Sequence, residues 1–213
     1  MEIKIKGGVY LVIDPAMDEQ VLLEKVAQAL EGGVQVLQIW NHWPEHFALA
    51  DKKKLIEAIL KISTQYHVPT LINEEWELLK HTALEGVHFD SIPENYQAIK
   101  KEIGRIFLGG ITCSNDLAVI EWAERNDFDY VSFCSMFPSS SVDSCEIVRP
   151  ETVRKARAIT QMPLFLSGGI TTANLATFKE LDFNGVAVIS GILSADSPKH
   201  SATAYQNALQ TIK

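Results

Sequence analysis

The feature that most constrains the fold is a series of short apolar segments, rich in β-branched residues, spread along the whole chain. Eight such segments occur: GVYLVI (8–13), VQVLQI (34–39), PTLI (69–72), GVHF (86–89), RIFLGG (105–110), DYVSFC (129–134), PLFLS (163–167) and GVAVIS (185–190). Their hydrophobicity is continuous rather than alternating, which is typical of strands buried on both faces of a parallel sheet. The sequence therefore predicts eight buried parallel strands.

Helical patterns fill most of the intervals between these segments. The predicted helices are 18–30, 47–62, 115–124, 150–159, 174–181 and 202–212, and the stretches after 72 and 89 are shorter. Strand followed by helix, eight times in 213 residues, predicts a single (β/α)8 TIM barrel, an α/β fold, spanning residues 1–213 as one domain. The alternative is an open doubly wound sheet, but the Gly-x-Gly-x-x-Gly turn usual after its first strand is missing.

Composition limits which classes of binding partner and which cellular compartment we expect for this protein. The formal charge is −8 and no basic tract occurs, which argues against nucleic acid or an anionic membrane as a partner. No signal-peptide pattern and no apolar run long enough for a spanning helix occurs in the sequence. The three cysteines are odd in number and lack metal-ligand spacing. We therefore expect a cytoplasmic protein with reduced thiols.

In a barrel of this type the active site lies where the strands end. Gly168 and Gly169 follow the seventh predicted strand, and Ile189, Ser190 and Gly191 end the eighth. These two loops of a barrel often bind a phosphate through backbone N–H groups. The spacing favours a phosphate site here, and the alternative is a pair of ordinary glycine turns.

Acidic side chains follow the third and fourth strands. Asn73 and Glu74 end the third strand, and Asp90 follows the fourth. Carboxylate oxygens are the ligands that Mg²⁺ requires, so Glu74 and Asp90 are candidate metal ligands. The alternative, that both are surface acids, carries equal weight.

Other strand ends offer proton-transfer and stacking groups. His42 follows the second strand and could titrate near neutral pH. Cys113 follows the fifth strand, where a nearby helix N-terminus would lower the pKa of its thiol. His88, inside the fourth strand, is interpreted as a core residue. Trp40 and Trp43 could stack on a planar ligand or simply plug the barrel mouth.

Seven segments together resemble one family: YLVIDP (10–15), GGVQVLQ (32–38), LINEE (71–75), GVHF (86–89), DYVSF with MFPSS (129–140), SGGITTAN (167–174) and GVAVISGI (185–192). They resemble thiamine phosphate synthase and its sister, the TenI-type thiazole tautomerase, nearly end to end. The resemblance implies a TIM barrel, usually a homodimer, that works in thiamine biosynthesis. It also implies that Gly168, Gly169, Ile189 and Ser190 hold a thiazole phosphate.

The diphosphate half of the family's site is altered in this sequence. The family's Gln-x-Arg-x-Lys after the second strand is Gln38-Ile39-Trp40-Asn41-His42, so both cations are absent. The family's Asn-Asp is Asn73-Glu74, and its second metal aspartate falls near Pro93, three positions after Asp90. The loop of threonines and lysine after the sixth strand is represented by Ser139, Ser141 and Val142, and the serine after the fifth strand by Ile111.

Three functions are compatible with these departures. The favoured one is a tautomerase-like enzyme that acts on a thiazole phosphate without a cofactor. The family's catalytic histidine is Cys113 here, so Cys113 or His42 would transfer the proton. The second is an active synthase, joining hydroxymethylpyrimidine diphosphate to a thiazole phosphate, with Mg²⁺ on Glu74 and Asp90. The third is a non-catalytic binder of thiazole phosphate.

Whichever function holds, the resemblance implies one binding pocket at the carboxyl ends of the strands. The predicted pocket residues are Gln38, Trp40, Asn73, Ser139 and Ser141. The ligand is predicted to be a small phosphorylated heterocycle. A different heterocyclic or sugar phosphate stays open because of the two tryptophans.

Overall fold

In the computed structural model, which describes residues 4–138 and 146–212, eight strands alternate with helices. The strands are β1 (Gly8–Ile13), β2 (Val36–Ile39), β3 (Thr70–Asn73), β4 (Gly86–Phe89), β5 (Leu108–Thr112), β6 (Tyr130–Phe133), β7 (Leu164–Ser167) and β8 (Gly185–Val188). All pair in parallel and in chain order, and β8 closes onto β1 through pairs such as Tyr10 with Ala187. The predicted TIM barrel is confirmed, and the open doubly wound alternative is wrong.

The helices surround the barrel. They are α1 (Glu19–Glu31), α2 (Leu49–Ser63), α3 (Tyr96–Ile103), α4 (Leu117–Arg125), α5 (Pro150–Ile159), α6 (Ser190–Leu193) and α7 (Pro198–Ile212). Three-residue to five-residue 3₁₀ helices lie at Thr64–Tyr66, Trp76–Lys80 and Leu175–Phe178. None of the described helices is long and apolar enough to cross a membrane.

Local capping chemistry explains where several helices begin. The Asp18 side chain accepts a hydrogen bond from the Val21 N–H and starts α1. Asp116 does the same for α4 by accepting from the Ala118 N–H. The helix predicted from 115 therefore begins only at Leu117, and the Asn115 side chain instead bonds to the Ile147 carbonyl and the Arg149 N–H.

Two hydrophobic clusters form the core, one outside and one inside the barrel wall. The outer cluster packs the strands against the helices. The inner cluster fills the barrel axis with residues from six strands and one N-terminal residue: Ile5, Tyr10, Val36, Leu71, Leu108, Tyr130 and Phe165. The rings of Tyr10, Tyr130 and Phe165 meet edge to face at centroid distances of 5.4 to 5.7 Å.

Strand periodicity then dictates what lies above this inner cluster. Side chains two positions further along a strand point to the same side, so the next inward positions lie nearer the carboxyl-terminal face. At inward positions close to the strand ends, six neighbouring strands carry polar groups. We call this set the polar floor: Gln38, Asn73, His88, Thr112, Ser132 and Ser167.

Two sequence-based boundaries need correction. The fifth strand is predicted at 105–110 but is Leu108–Thr112, because Gly109 and Gly110 lie inside the strand rather than at its end. A Cβ on Gly110 would come within 2.3 Å of the Tyr130 hydroxyl oxygen, so a side chain there is excluded by the inner cluster. The helix predicted at 174–181 is only a short 3₁₀ turn, Leu175–Phe178.

Candidate active site

The end of β2 places one amide and two rings at the carboxyl-terminal face. The Gln38 side chain points inward and is buried, and its Oε1 accepts a 2.5 Å hydrogen bond from the Tyr10 hydroxyl. Trp40 is half-buried and lies 4.9 Å from the His42 ring, centroid to centroid. The His42 side chain is 58% exposed, and its Nδ1 lies 3.0 Å from Asp14 Oδ1. His42 is therefore at the mouth of the barrel, and its partner is a carboxylate.

Trp43 has a different role from Trp40. Its ring packs against the core and lies under the Lys52 ammonium, 5.1 Å from the ring centroid. Lys52 also donates to both carboxylate oxygens of Glu75 at 2.8 Å. The loop after β2 is thus tied to the loop after β3, and the Lys52 cation is already neutralised there.

The acids after β3 and β4 come together at one point of the mouth. Asn73 is buried, and its amide nitrogen donates to Asp90 Oδ1 at 3.0 Å. Glu74 has a left-handed backbone, with φ of +59°, and its Oε1 accepts from the Asp90 N–H at 2.5 Å. Because non-glycine residues in this region are strained by about 1–2 kcal/mol, the position of Glu74 is held by its surroundings.

The two carboxyl groups influence each other's protonation. Burial raises the pKa of Glu74, and the nearby Asp90 charge raises it further, while the hydrogen bond from the Asp90 N–H opposes the shift. Although Asp90 is an exposed residue as a whole, partial burial of its carboxyl group raises its pKa, against the hydrogen bond from Asn73. Two partly buried carboxyl groups that lie side by side are suited to bind a cation or to transfer a proton.

Cys113 does not have the environment that the sequence predicted. Its side chain is 2% exposed and belongs to the outer core cluster. Burial, and then the Asp116 charge, raise the pKa of the Cys113 thiol to about 12. The expected lowering by a helix N-terminus is wrong because Cys113 points away from the mouth, and a neutral buried thiol is a poor proton shuttle.

His88 is confirmed as a buried residue whose ring nitrogens both have partners. Its Nδ1 lies 2.9 Å from the Tyr130 hydroxyl, and its Nε2 lies 2.9 Å from Thr112 Oγ1. Burial lowers its pKa to about 4, so the ring is neutral at physiological pH. Thr112 Oγ1 also lies 3.1 Å from Ser132 Oγ.

The loop after β6 is described only in part. Ser139 and Ser141, predicted as pocket residues, lie outside the described residues. Before them, the Ser135 hydroxyl donates to the Phe137 carbonyl at 2.6 Å, and the Met136 N–H donates to the Ser167 carbonyl. These bonds attach the start of the loop to the end of β7.

We call the loops after β7 and β8 the cradle, and they comprise Gly168, Gly169, Ile189, Ser190 and Gly191. Gly168 and Gly169 have φ values of +83° and +64°. A Cβ on Gly168 would lie 1.9 Å from Ser135 Oγ, so only glycine fits against the β6 loop. Asn174 fixes the turn by accepting from the Thr171 N–H and donating to the Gly169 carbonyl. After β8, α6 begins at Ser190 with Ile189 as its N-terminal cap residue.

Several backbone N–H groups of this cradle have no acceptor among the residues that the structure describes. Within residues 4–138 and 146–212, no acceptor is found for the N–H groups of Gly168, Gly169, Ser190 and Gly191. The Tyr205 hydroxyl donates to the Ile170 carbonyl at 2.9 Å and so fixes the β7 loop to α7. The four predicted phosphate-binding residues therefore lie on two adjacent strand ends, β7 and β8.

Sequence reasoning missed several polar residues of this face. Thr112, Ser132 and the two tyrosines of the inner cluster were interpreted only as parts of buried strands. Threonine and tyrosine are common in strands, so their types gave no signal. In the predicted strand 129–134, Tyr130 and Ser132 alternate with Val131 and Phe133, and this alternation is a signal that could have placed both polar residues on one face.

Comparison with known proteins agrees with this geometry. The family model described as thiamine monophosphate synthase matches residues 9–192. The chain belongs to this family. A thiamine-phosphate synthase of Geobacillus kaustophilus is 30% identical over 214 residues, covering 100% of this chain and 96% of that one. A thiamine-phosphate synthase of Nitrosococcus oceani is 31% identical over 207 residues, covering 93% and 91%.

A solved structure supports the same fold. The thiamine phosphate pyrophosphorylase from Pyrococcus furiosus superimposes with a TM-score of 0.81, at 19% identity, covering 97% of both chains. The predicted relationship to thiamine phosphate synthase is therefore confirmed, and the chain is a thiamine-biosynthesis protein of a transferase family. The predicted homodimer stays a prediction.

Proposed function

We propose that this member of the thiamine monophosphate synthase family catalyses the synthase reaction. In that reaction a thiazole phosphate attacks hydroxymethylpyrimidine diphosphate, and thiamine phosphate and pyrophosphate are formed. The observation that carries the proposal is the convergence of Glu74 and Asp90 beside Asn73 at the mouth of the barrel. The buried thiol of Cys113 weighs against the tautomerase-like alternative favoured by the sequence.

The phosphate of the thiazole would bind in the cradle between β7 and β8. Four N–H groups that have no acceptor among residues 4–138 and 146–212, together with the exposed Ser190 hydroxyl, lie on these two adjacent loops. Hydrogen bonds from such donors to an anion are charge-assisted and each contributes about 1.5–3 kcal/mol. A phosphate ester thus has a sufficient set of donors without any lysine or arginine.

The acids at β3 and β4 fit a magnesium ion. Among the described residues no cluster of three or more histidine, cysteine or acidic side chains could hold a metal. Mg²⁺ does not need one, because it keeps several waters and commonly takes one or two carboxylates together with substrate phosphates. Glu74 and Asp90 would supply those carboxylates, and the hydrogen bond from the Asp90 N–H to Glu74 Oε1 keeps the two residues next to each other at the mouth of the barrel. When bound, Mg²⁺ would neutralise the charge that develops on the diphosphate leaving group.

The chain's own residues would orient the two substrates. Gln38 Oε1 accepts from the Tyr10 hydroxyl, and no acceptor for the Gln38 amide N–H groups is found in residues 4–138 and 146–212, so these groups would donate to an acceptor atom of the pyrimidine. Trp40, half-buried beside the His42 ring, can stack on a planar ring. His42, when protonated, would place one positive charge at the position of the lysine in the family pattern Gln-x-Arg-x-Lys. This set would position the two reacting rings.

A second candidate is a tautomerase-like enzyme acting on a thiazole phosphate without a metal. The specific observation in its favour is the loss of the two clamp cations, replaced by Trp40 and His42. In this candidate Glu74, whose pKa is raised, would transfer the proton in place of Cys113. A thiazole phosphate that binds without any turnover would indicate the third function, a binding protein.

Binding of Mg²⁺ separates these candidates before any turnover is measured. We expect Mg²⁺ with pyrophosphate to raise the midpoint of thermal unfolding of the wild-type protein, since a ligand that binds only the native state stabilises it. The gain should be lost in Glu74→Gln and Asp90→Asn and kept in Glu77→Gln, an exposed acid outside the pair. An equal gain in all four proteins would show that the acids do not hold the metal, and the metal-free candidate would replace our proposal.

A further inference from the structure

Five hydrogen bonds join six side chains into one chain across the interior of the barrel. The heavy-atom distances are 2.5 Å for Gln38 Oε1 to Tyr10, 2.7 Å for Tyr10 to Tyr130, 2.9 Å for Tyr130 to His88 Nδ1, 2.9 Å for His88 Nε2 to Thr112 and 3.1 Å for Thr112 to Ser132. The chain runs from β2 through β1, β6 and β4 to β5 and back to β6. It therefore connects two sides of the polar floor that are separated by the barrel axis.

Because each hydroxyl group has only one proton, the donor and the acceptor can be assigned for every hydrogen bond between Gln38 and His88. An amide oxygen can only accept, so the Tyr10 hydroxyl donates its one proton to Gln38 Oε1. The Tyr10 oxygen must then accept from the Tyr130 hydroxyl. Since Tyr130 has used its proton, it can meet His88 only as an acceptor. His88 must therefore carry its proton on Nδ1.

The same count continues on the other side of His88. The ring is neutral at physiological pH, because burial lowers its pKa to about 4, so a proton on Nδ1 leaves a lone pair on Nε2. That lone pair accepts from the Thr112 hydroxyl, and Thr112 in turn accepts from Ser132. Once Gln38 Oε1 is taken as the acceptor at one end, each hydrogen bond in the series can have only one direction.

We propose that these six side chains form an orientational relay, in which the amide of Gln38 sets the tautomer of His88 and thereby the direction of the Thr112 hydroxyl. His88 is thus a positioning residue that couples the β2 side of the pocket to its β5 side. The relay leaves the Gln38 N–H groups as donors and the hydroxyl oxygens of Thr112 and Ser132 as acceptors. A heterocycle would be complementary to this face if it placed a hydrogen-bond acceptor next to the Gln38 amide and a hydrogen-bond donor next to the hydroxyl oxygens of Thr112 and Ser132. The inference rests on the proposed function only in taking this face as the ligand site.

The relay orients protons rather than conducting them. Its end is a neutral amide oxygen, which is a very weak base, so a proton cannot leave the chain at Gln38. Both tyrosines also have pKa values raised by burial, which disfavours tyrosinate along the path. The consequence is a floor whose donors and acceptors are set before a ligand arrives.

The test reads the His88 tautomer directly by long-range ¹H–¹⁵N NMR of histidine-labelled, ligand-free protein. In the wild type we expect protonation at Nδ1. In Tyr10→Phe the Tyr130 hydroxyl loses its acceptor and must donate to His88 Nδ1, so the proton should move to Nε2. Tyr205→Phe removes a different buried hydroxyl, outside the relay, and should leave the tautomer unchanged. An Nε2-protonated ring in the wild type, or no change in Tyr10→Phe, would overturn the relay.

Two further variants keep the test decisive if Tyr10→Phe does not fold. Gln38→Leu removes the terminal acceptor and should also move the proton to Nε2. Thr112→Val removes the hydroxyl on the far side and should leave the proton on Nδ1, because the direction is set from Gln38. A tautomer that follows Thr112 instead of Gln38 would contradict the proposal. Since no substrate is present, these results are independent of whether the protein proves to be a synthase.

Discussion

Replacing Gly169 by alanine is the sharpest perturbation of the phosphate cradle. Gly169 has φ of +64°, and a Cβ there would lie 2.8 Å from both the Phe137 Cβ and the Pro138 carbonyl oxygen. The left-handed backbone alone costs an L-residue about 1–2 kcal/mol. Overpacking against the β6 loop adds about 1–3 kcal/mol. We therefore expect Gly169→Ala to lower the free energy of unfolding by about 2–5 kcal/mol.

Gly104→Ala is the matched control. Gly104 has nearly the same backbone, with φ of +69°, but its Cβ would meet nothing nearer than the Lys101 carbonyl oxygen at 3.9 Å. Only the backbone cost applies, so its loss of stability should be about 1–2 kcal/mol. Urea unfolding of the two variants separates the backbone cost from the clash. Equal losses would refute the close approach of the β7 loop to the β6 loop.

The same pair tests ligand binding. The clash displaces the Gly169 N–H, and losing one charge-assisted bond to a phosphate costs about 1.5–3 kcal/mol. Since each 1.4 kcal/mol is about tenfold in affinity, binding of a thiazole phosphate should weaken by about 10- to 150-fold. Calorimetry at a temperature where both variants are folded measures this. Unchanged affinity in Gly169→Ala, or an equal loss in Gly104→Ala, would refute the cradle.

Three other predictions concern residues that follow the second, third and fifth strands. Combining Trp40→Arg with His42→Lys should restore both cations of the family's clamp and raise the rate of thiamine phosphate formation by about 10²–10⁴-fold, at about 1.5–3 kcal/mol per contact. The matched control, Trp40→Gln combined with His42→Gln, adds no cation and should show no gain in rate. Cys113 should resist iodoacetamide at pH 8 in the folded protein and react once unfolded in urea, by mass spectrometry, because its pKa is raised to about 12. A raised folded-state pKa means that ionisation of Glu74 costs stability, so stability falls as pH rises above its ordinary pKa of 4.5. Glu74→Gln should flatten that fall in urea unfolding curves between pH 4 and pH 7, whereas the exposed Glu121→Gln should not.

The strand order was predictable because buried parallel strands leave continuous apolar runs in the sequence. The fifth strand shows where this signal fails. Gly109 and Gly110 resemble a turn, yet the inner cluster requires glycine at 110 because the Tyr130 ring occupies the space. The strand therefore ends at Thr112, two residues later than predicted, and Thr112 points inward.

Only those site residues that directly follow a predicted strand could be located from the sequence. Each glycine pair or acid follows its own strand, so strand ends alone located Gly168, Gly169, Glu74 and Asp90. The direction of a side chain was not predictable for Cys113, which is buried on the outer side of the barrel wall. The partners of His88 lie 24 and 42 residues away in sequence, and only closure of the barrel brings them together.

The central claim is tested most directly by one incubation. Purified protein is mixed with hydroxymethylpyrimidine diphosphate, a thiazole phosphate and Mg²⁺, and thiamine phosphate and pyrophosphate are quantified against an authentic synthase. We predict both products in equal amounts, dependent on Mg²⁺ and lost in Glu74→Gln, at a rate below that of the authentic enzyme because two cations are missing. No product from a folded protein that still binds the thiazole phosphate would contradict the account.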